Sequence, residues 1–301
     1  MKLVAIGAML SSCAVAGADI AIQFNDFSNT KELVINGAAE VVESADGAVM
    51  RLTPAAGGRA GSIFSETLIE ASNFSTRFSF RITENGGAIF DGNISNGADG
   101  IVFVIQPVDS SLGSLGQGIG YSGIQNSLGI EFDTWGNNGN NDPSQSHVGI
   151  DINGSVNHNS GLPTANISNP ELDEFGDRWW AWVEYDGTTL EVRLSLEDSR
   201  PTEPLLSTEI DLVDILGQTT AYIGFTSATG AAWANHDIID WAYGGFCAGD
   251  VNEDGFVDLA DLNIVLANFG TDNIAGDANG DGFTNLADLN IVLAFFGDEC
   301  V

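Results

Sequence analysis

The sequence predicts a mainly β fold, a sandwich of antiparallel sheets followed by a small all-α unit, and three observations carry that prediction. Between residue 20 and about residue 245, apolar and polar residues alternate with the period of two that a half-buried strand requires, and no helical period competes. Clusters of glycine, asparagine and serine punctuate those runs, as turns between strands demand. Beyond residue 245 the pattern changes. "GDVNEDGFVDLADLNIVLANFG" (249–270) recurs as "GDANGDGFTNLADLNIVLAFFG" (276–297), so a loop-and-helix unit is duplicated with a period of 27 residues, 249 to 276.

The amino terminus reads as an export signal over residues 1–18. Lys2 precedes an apolar run over 3–15, and Ala16-Gly17-Ala18 offers an A-x-A cleavage site before Asp19. "LSSC" (10–13) also matches a lipobox that would lipidate Cys13; the plain signal is favoured because A-x-A stands where such a run should end. No later apolar run reaches the ~18 residues that a membrane span needs. The expected location is secreted or cell-surface. The 42 acidic against 9 basic residues give a net charge of −33, which excludes nucleic acid and anionic membranes as partners.

The sandwich is expected over residues 19–245. "TRFSFRI" (76–82) turns Phe78, Phe80 and Ile82 to one face and Arg77, Ser79 and Arg81 to the other. "GIVFVIQP" (100–107) and "AYIGFTSATG" (221–230) are further strands, and "WAWVEYDGTTLEVRLSL" (180–196) is a hairpin around Asp186-Gly187. Alternation assigns Trp179, Trp180 and Trp182 to core packing. His158 and His236 have no visible partner set and are assigned to structure or surface.

"GIEFDTWGNNGNNDPSQSHVGID" (129–151) is the chemically charged stretch. Glu131, Asp133 and Trp135 share one face of a strand, and carboxylates at that spacing repel unless a cation lies between them. A hairpin brings His147 beside Asp133, and Asp142 enters from the loop. Glu131, Asp133, Asp142 and His147 suit a borderline transition ion such as Mn2+. Asp133, Asp142, the Asn137 amide oxygen and the Trp135 carbonyl suit Ca2+.

In the duplicated segment, residues 246–301, each copy carries D-x-N-x-D-G before an apolar helix. Oxygen ligands for Ca2+ fall at Asp250, Asn252, Asp254, Asp258 and Asp261, and again at Asp277, Asn279, Asp281, Asn285 and Asp288. The carbonyls of Phe256 and Phe283 complete the two loops. This segment resembles a dockerin type I domain, which implies two calcium ions and a cohesin-type partner. Leu259-Ala260 and Leu286-Ala287 stand where many dockerins place polar recognition residues. Cys247 and Cys300 flank the segment, and in an oxidising compartment a disulfide between them is expected.

Residues 19–245 resemble the legume (L-type) lectin family. The resemblance rests on Glu131-x-Asp133-x-Trp135-x-Asn137, Asp142-Pro143, His147-Val148-Gly149-Ile150-Asp151, "ADGIVFVI" (98–105) and "HDIIDWAY" (236–243). "GIGYSGIQNS" (118–127) resembles the bacterial members. The family likeness implies a concanavalin-like jelly roll, a Ca2+ and Mn2+ pair, and a glycan ligand. It further implies that Asp99, after a cis peptide to Ala98, accepts from two sugar hydroxyls, and that Gly120 donates its N–H and leaves room for the sugar. Asn137 donates its amide, the Trp135 ring stacks on the sugar, and Ala231 and Ala232 contribute from the last loop. The rival is a glycoside hydrolase of the laminarinase type, which needs E-x-D-x-x-E on one strand; Gly136 stands at the last acid. A third reading makes both parts calcium-stiffened spacers of an adhesin. A chain that binds glycans without cleaving them is the expectation.

Overall fold

The structure is a computed structural model that describes residues 20–89, 92–93, 97–110, 115–252, 254–272, 274–279, 282–298 and 300–301, without the side chain of Ile274. The expected export signal, Cys13 and Asp281 lie outside the described residues.

The strands in chain order are β1 (Ile20–Phe24), β2 (Leu33–Gly37), β3 (Glu40–Ser44), β4 (Gly47–Thr53), β5 (Ala60–Ser65) and β6 (Ile69–Glu70). They continue as β7 (Phe74–Gly87), β8 (Gly100–Gln106), β9 (Leu128–Asp133), β10 (His147–Ile152) and β11 (Thr164–Asn166). The series ends with β12 (Arg178–Tyr185), β13 (Thr189–Ser195), β14 (Leu206–Glu209), β15 (Thr220–Ala228) and β16 (Ala232–Gly244). One sheet runs β14-β13-β12-β7-β16-β4-β3 with β1 on β16; the other runs β11-β10-β9-β8-β15-β5-β2 with β6 on β15. Every pairing is antiparallel.

Alternation decides which face each strand buries. Phe78, Phe80 and Ile82 of β7 meet Ile101, Phe103 and Ile105 of β8 and Ile130 and Phe132 of β9 in one core between the sheets. The β12–β13 hairpin turns where the sequence places it: Asp186 accepts from the Thr188 and Thr189 N–H groups, and Gly187 takes φ 105°. Trp179 reaches the core and its indole donates to the Leu172 carbonyl. Trp182 is buried, whereas Trp180 is only half-buried, with the Arg178 guanidinium over its ring.

The outer face of the first sheet collects the scarce cations. Arg51 pairs with Asp237 at 2.7 Å and Arg81 with Asp46 at 2.9 Å. Arg77 and Arg178 converge on Asp240, and Arg193 and Arg200 on Glu184. Most of the protein's positive charge is thus neutralised within its own sheet.

His236, on β16, is fully buried and its Nδ1 lies 2.7 Å from Thr53 Oγ1. Ser227 gives its proton to the Gly100 carbonyl, so Thr53 donates to Ser227 and Nδ1 donates to Thr53. Burial lowers the imidazole from 6.5 to about 3. The unfolded chain therefore takes up a proton below pH 6.5 that the folded chain refuses until about pH 3. The contribution is complete above 6.5 and is lost as pH falls, at about 1.4 kcal/mol per pH unit. Urea unfolding at pH 7 and pH 5 should show His236→Gln losing about 2 kcal/mol less than wild type over that interval. Equal losses would contradict this account.

Residues 20–247 with 300–301 form one compact unit, and 248–299 belong to a second. Cys247 and Cys300 are disulfide-bonded, and Ser75 donates to the Val301 carbonyl. Among the described residues the second unit holds two α-helices, α2 (Leu259–Asn268) and α3 (Leu286–Ala294), after the one-turn α1 (Leu212–Leu216) of the sandwich.

Candidate functional site

The site begins with the register of β8, β9 and β10. Asp133 stands across from His147 on one side and Gly100 on the other, and Glu131 faces Gly149. Phe132 and Val148 point into the core, so their neighbours Glu131, Asp133 and His147 all point to the opposite face. A Cβ on Gly149 would lie 2.7 Å from Glu131 Oε1, so glycine here makes room for the carboxylate. The loop after β9 is tied by the same carboxylates: Asp133 Oδ1 accepts from the Trp135 N–H at 2.5 Å, and Asp142 Oδ2 from the Asn137 N–H at 2.6 Å. Asn93 clamps Gly136, accepting from its N–H and donating to its carbonyl.

Two groups of ligand atoms converge among the described residues: Asp133, Asp142 and His147, and Glu131, His147 and His158. Glu131 is 1% and Asp133 2% exposed, so both charges are out of water. Burial, then the charges of Glu131 and Asp142, push Asp133 well above the usual carboxylate range. Burial lifts Asp142 to about 6. Burial, then Glu131, also raises Asp151, whose buried Oδ2 has no partner. Burial opposes the charge on Glu131 too, but contacts with His147 and His158 outweigh it and hold the carboxyl at about 2. Carboxylates so crowded and so dry call for a cation.

Asp99 follows a cis peptide from Ala98. Its N–H donates to the Ala228 carbonyl, and its own carbonyl accepts from Thr134 at the root of the loop. Its side chain is 5% exposed, Oδ2 has no partner, and burial lifts the carboxyl to about 7. A Cβ on Gly230 would stand 3.5 Å from Asp99 Oδ2 and 3.7 Å from the Gly116 Cα, so Gly230 lies against this carboxylate with Gly116 beside it. Sequence reasoning missed both glycines, because distant loops bring them together.

Four expectations need correction or refinement. The Trp135 ring is 2% exposed, packed with Ala98 and Ala232, and has no free face on which a sugar could stack. Gly120 has φ 70° and its Cβ would strike Thr226 and Ser227 of β15, so its lack of a side chain answers to that packing rather than to room for sugar. Ala231 is exposed, but Ala232 is buried. His158 is not partnerless: its Nε2 lies 2.7 Å from Glu131 Oε1 and 3.6 Å from Asp142 Oδ1.

In the second unit the described residues of the two loops repeat the same hydrogen bonds. Asp261 and Asp288, both fully buried, accept from the N–H groups of Asn252 and Asn279 at 3.2 Å and from those of Asp258 and Asn285. Asp250 and Asp277 accept from Gly255 and Gly282, whose φ values of 89° and 85° suit only glycine. Asp254 accepts from the Asn252 amide at 2.9 Å. Asp258 and Asn285 cap α2 and α3, each with a reciprocal capping box. Phe256 and Phe283 are exposed.

A family model described as the legume lectin domain matches residues 19–250. The chain belongs to the legume lectin family. The lectin domain is 30% identical over 244 residues, 73% of this chain, to an L-type lectin-domain containing receptor kinase, I.7, of Arabidopsis thaliana, and covers 34% of it. The chain thus spans about a third, or less, of the curated relatives it matches first. Among solved structures, winged bean acidic lectin complexed with methyl-α-D-galactose is 25% identical, with a TM-score of 0.60 over 75% of this chain and 97% of that one. The lectin of Bauhinia forficata in complex with GalNAc is similar in fold, at 23% identity and TM-score 0.61 over 74% and 96%.

The lectin's loop fits the ions of its family. Asn137 Oδ1 is a buried oxygen without a partner, as a calcium ligand should be before its ion arrives. The hydrolase reading is unsupported. A Cβ at Gly136 would already lie 3.2 Å from the Gln145 backbone, so the absent acid has little room. Glu131 and Asp133 are also too buried to flank a sugar.

Proposed function

We propose that this chain is a secreted or cell-surface, metal-dependent glycan-binding lectin of the bacterial kind that does not cleave what it binds. Asp133, Asp142, Asn137 and the Trp135 carbonyl hold Ca2+, and a transition ion sits with Glu131, Asp133, Asp142 and His147. Asp99 accepts from two sugar hydroxyls, and Asn137 and Gly120 donate to the sugar. The observation that carries this reading is the buried, unpartnered Asp99 Oδ2 at the root of the acidic loop. A buried hydrogen-bond acceptor without a protein partner is suited to a polyhydroxyl ligand.

The duplicated segment is read as a dockerin-type unit that takes a calcium ion in each loop and mounts the lectin on a cohesin-type partner. Its repeated loops, each with a buried terminal Asp, support that reading. Mounting several weak sites together would raise avidity without new contacts.

A glycan array with wild type and Asp99→Ala, alongside a reducing-end assay on the bound glycans, tests the site. Two hydrogen bonds to a charged group are worth about 3 kcal/mol or more, so Asp99→Ala should weaken binding about a hundredfold. Undiminished binding by a folded variant, or released sugar, would overturn the proposal.

A further inference from the structure

Three atoms able to ligate a metal converge at His158. Its Nε2 lies 2.7 Å from Glu131 Oε1 and 3.2 Å from His147 Nε2, and His147 Nε2 lies 3.1 Å from the same Oε1. His147 Nδ1 lies 3.1 Å from the Ser144 carbonyl, which can only accept. Nδ1 therefore carries a proton, and Nε2 is turned toward Glu131 and His158.

The surroundings hold His158 there. The His158 N–H donates to the Asn140 carbonyl at 3.0 Å, and the Asn157 amide donates to the Gly139 carbonyl at 3.3 Å. The segment is thus fastened to the loop that carries Asp142. A Cβ at Gly149 would lie 2.9 Å from His158 Cε1, so only glycine lets this ring reach Glu131.

We propose that His158 is a direct ligand of the transition ion, which makes that position a two-imidazole site selecting Zn2+ over Mn2+. Imidazole nitrogen favours zinc, whereas carboxylate and water suit manganese. The inference rests on the metal reading of the loop but not on the saccharide reading.

The test uses the full chain, demetallated and then supplied with excess Ca2+. Pulsed EPR of bound Cu2+ counts the coordinated imidazoles, and equilibrium dialysis with Zn2+ and Mn2+ gives the preference. Wild type should show two imidazoles. His158→Asn and His158→Gln should show one, with the preference for Zn2+ over Mn2+ falling about tenfold or more. One imidazole in wild type, or a preference unchanged in both variants, overturns the proposal. If a variant fails to fold, the wild-type count decides alone. Glycan binding scored on the same samples separates the two readings: two imidazoles without glycan binding would sink only the saccharide site.

Discussion

Phe78→Ala is expected to destabilise the sandwich by about 3–5 kcal/mol, the usual cost of emptying an aromatic site in a packed core. Phe78 is fully buried where the two sheets face each other. Its ring centroid lies 4.8 Å from Phe225, 5.7 Å from Phe132, 5.9 Å from Phe103 and 6.2 Å from Phe80. Those neighbours belong to β15, β9, β8 and β7, and main-chain ladders fix them, so they have little freedom to fill the void. Because Phe132 is flanked by Glu131 and Asp133, the same cavity should loosen the strand that carries the acidic cluster. All 6 tryptophans lie between residues 135 and 241, so their fluorescence in urea reports on the sandwich alone. A loss below about 1 kcal/mol would show that Phe78 does not occupy the centre of the core.

Much of this molecule was legible because its signals are local. The period-two alternation of "TRFSFRI" named Phe78, Phe80 and Ile82 as one face, and they lie together in the core. Glu131, Asp133 and His147 could be grouped because a strand spacing and one hairpin suffice to bring them together. What stayed hidden depends on distant segments. His158 reaches Glu131 only after the chain leaves β10 and doubles back onto residues 139–140, and no period links it to His147. Alternation put Trp135 on the outer face but could not say that Ala98 and Ala232 cover it. The glycine at 120 was visible as a glycine, but its reason, the approach of β15, required coordinates. Asp258 and Asn285 read as ligand positions, yet each also begins a helix, since a short oxygen side chain serves both roles.

The central claim is that divalent ions hold the loop between Asp133 and His147 in the shape that builds a saccharide pocket beside Asp99. Without them, the crowded carboxylates repel, and that repulsion opposes the hydrogen bonds by which Asp133, Asp142 and Asn93 tie the loop. Re-ordering even three loop residues on binding costs about 3 kcal/mol or more, which is about a hundredfold in affinity. The direct measurement is calorimetric titration of the best array glycan into chelator-treated, dialysed protein, and into the same protein reloaded with Ca2+ and a transition ion. A loss of about a hundredfold or more on metal removal, recovered on reloading, is the predicted result. Equal affinity in the two states would contradict the account.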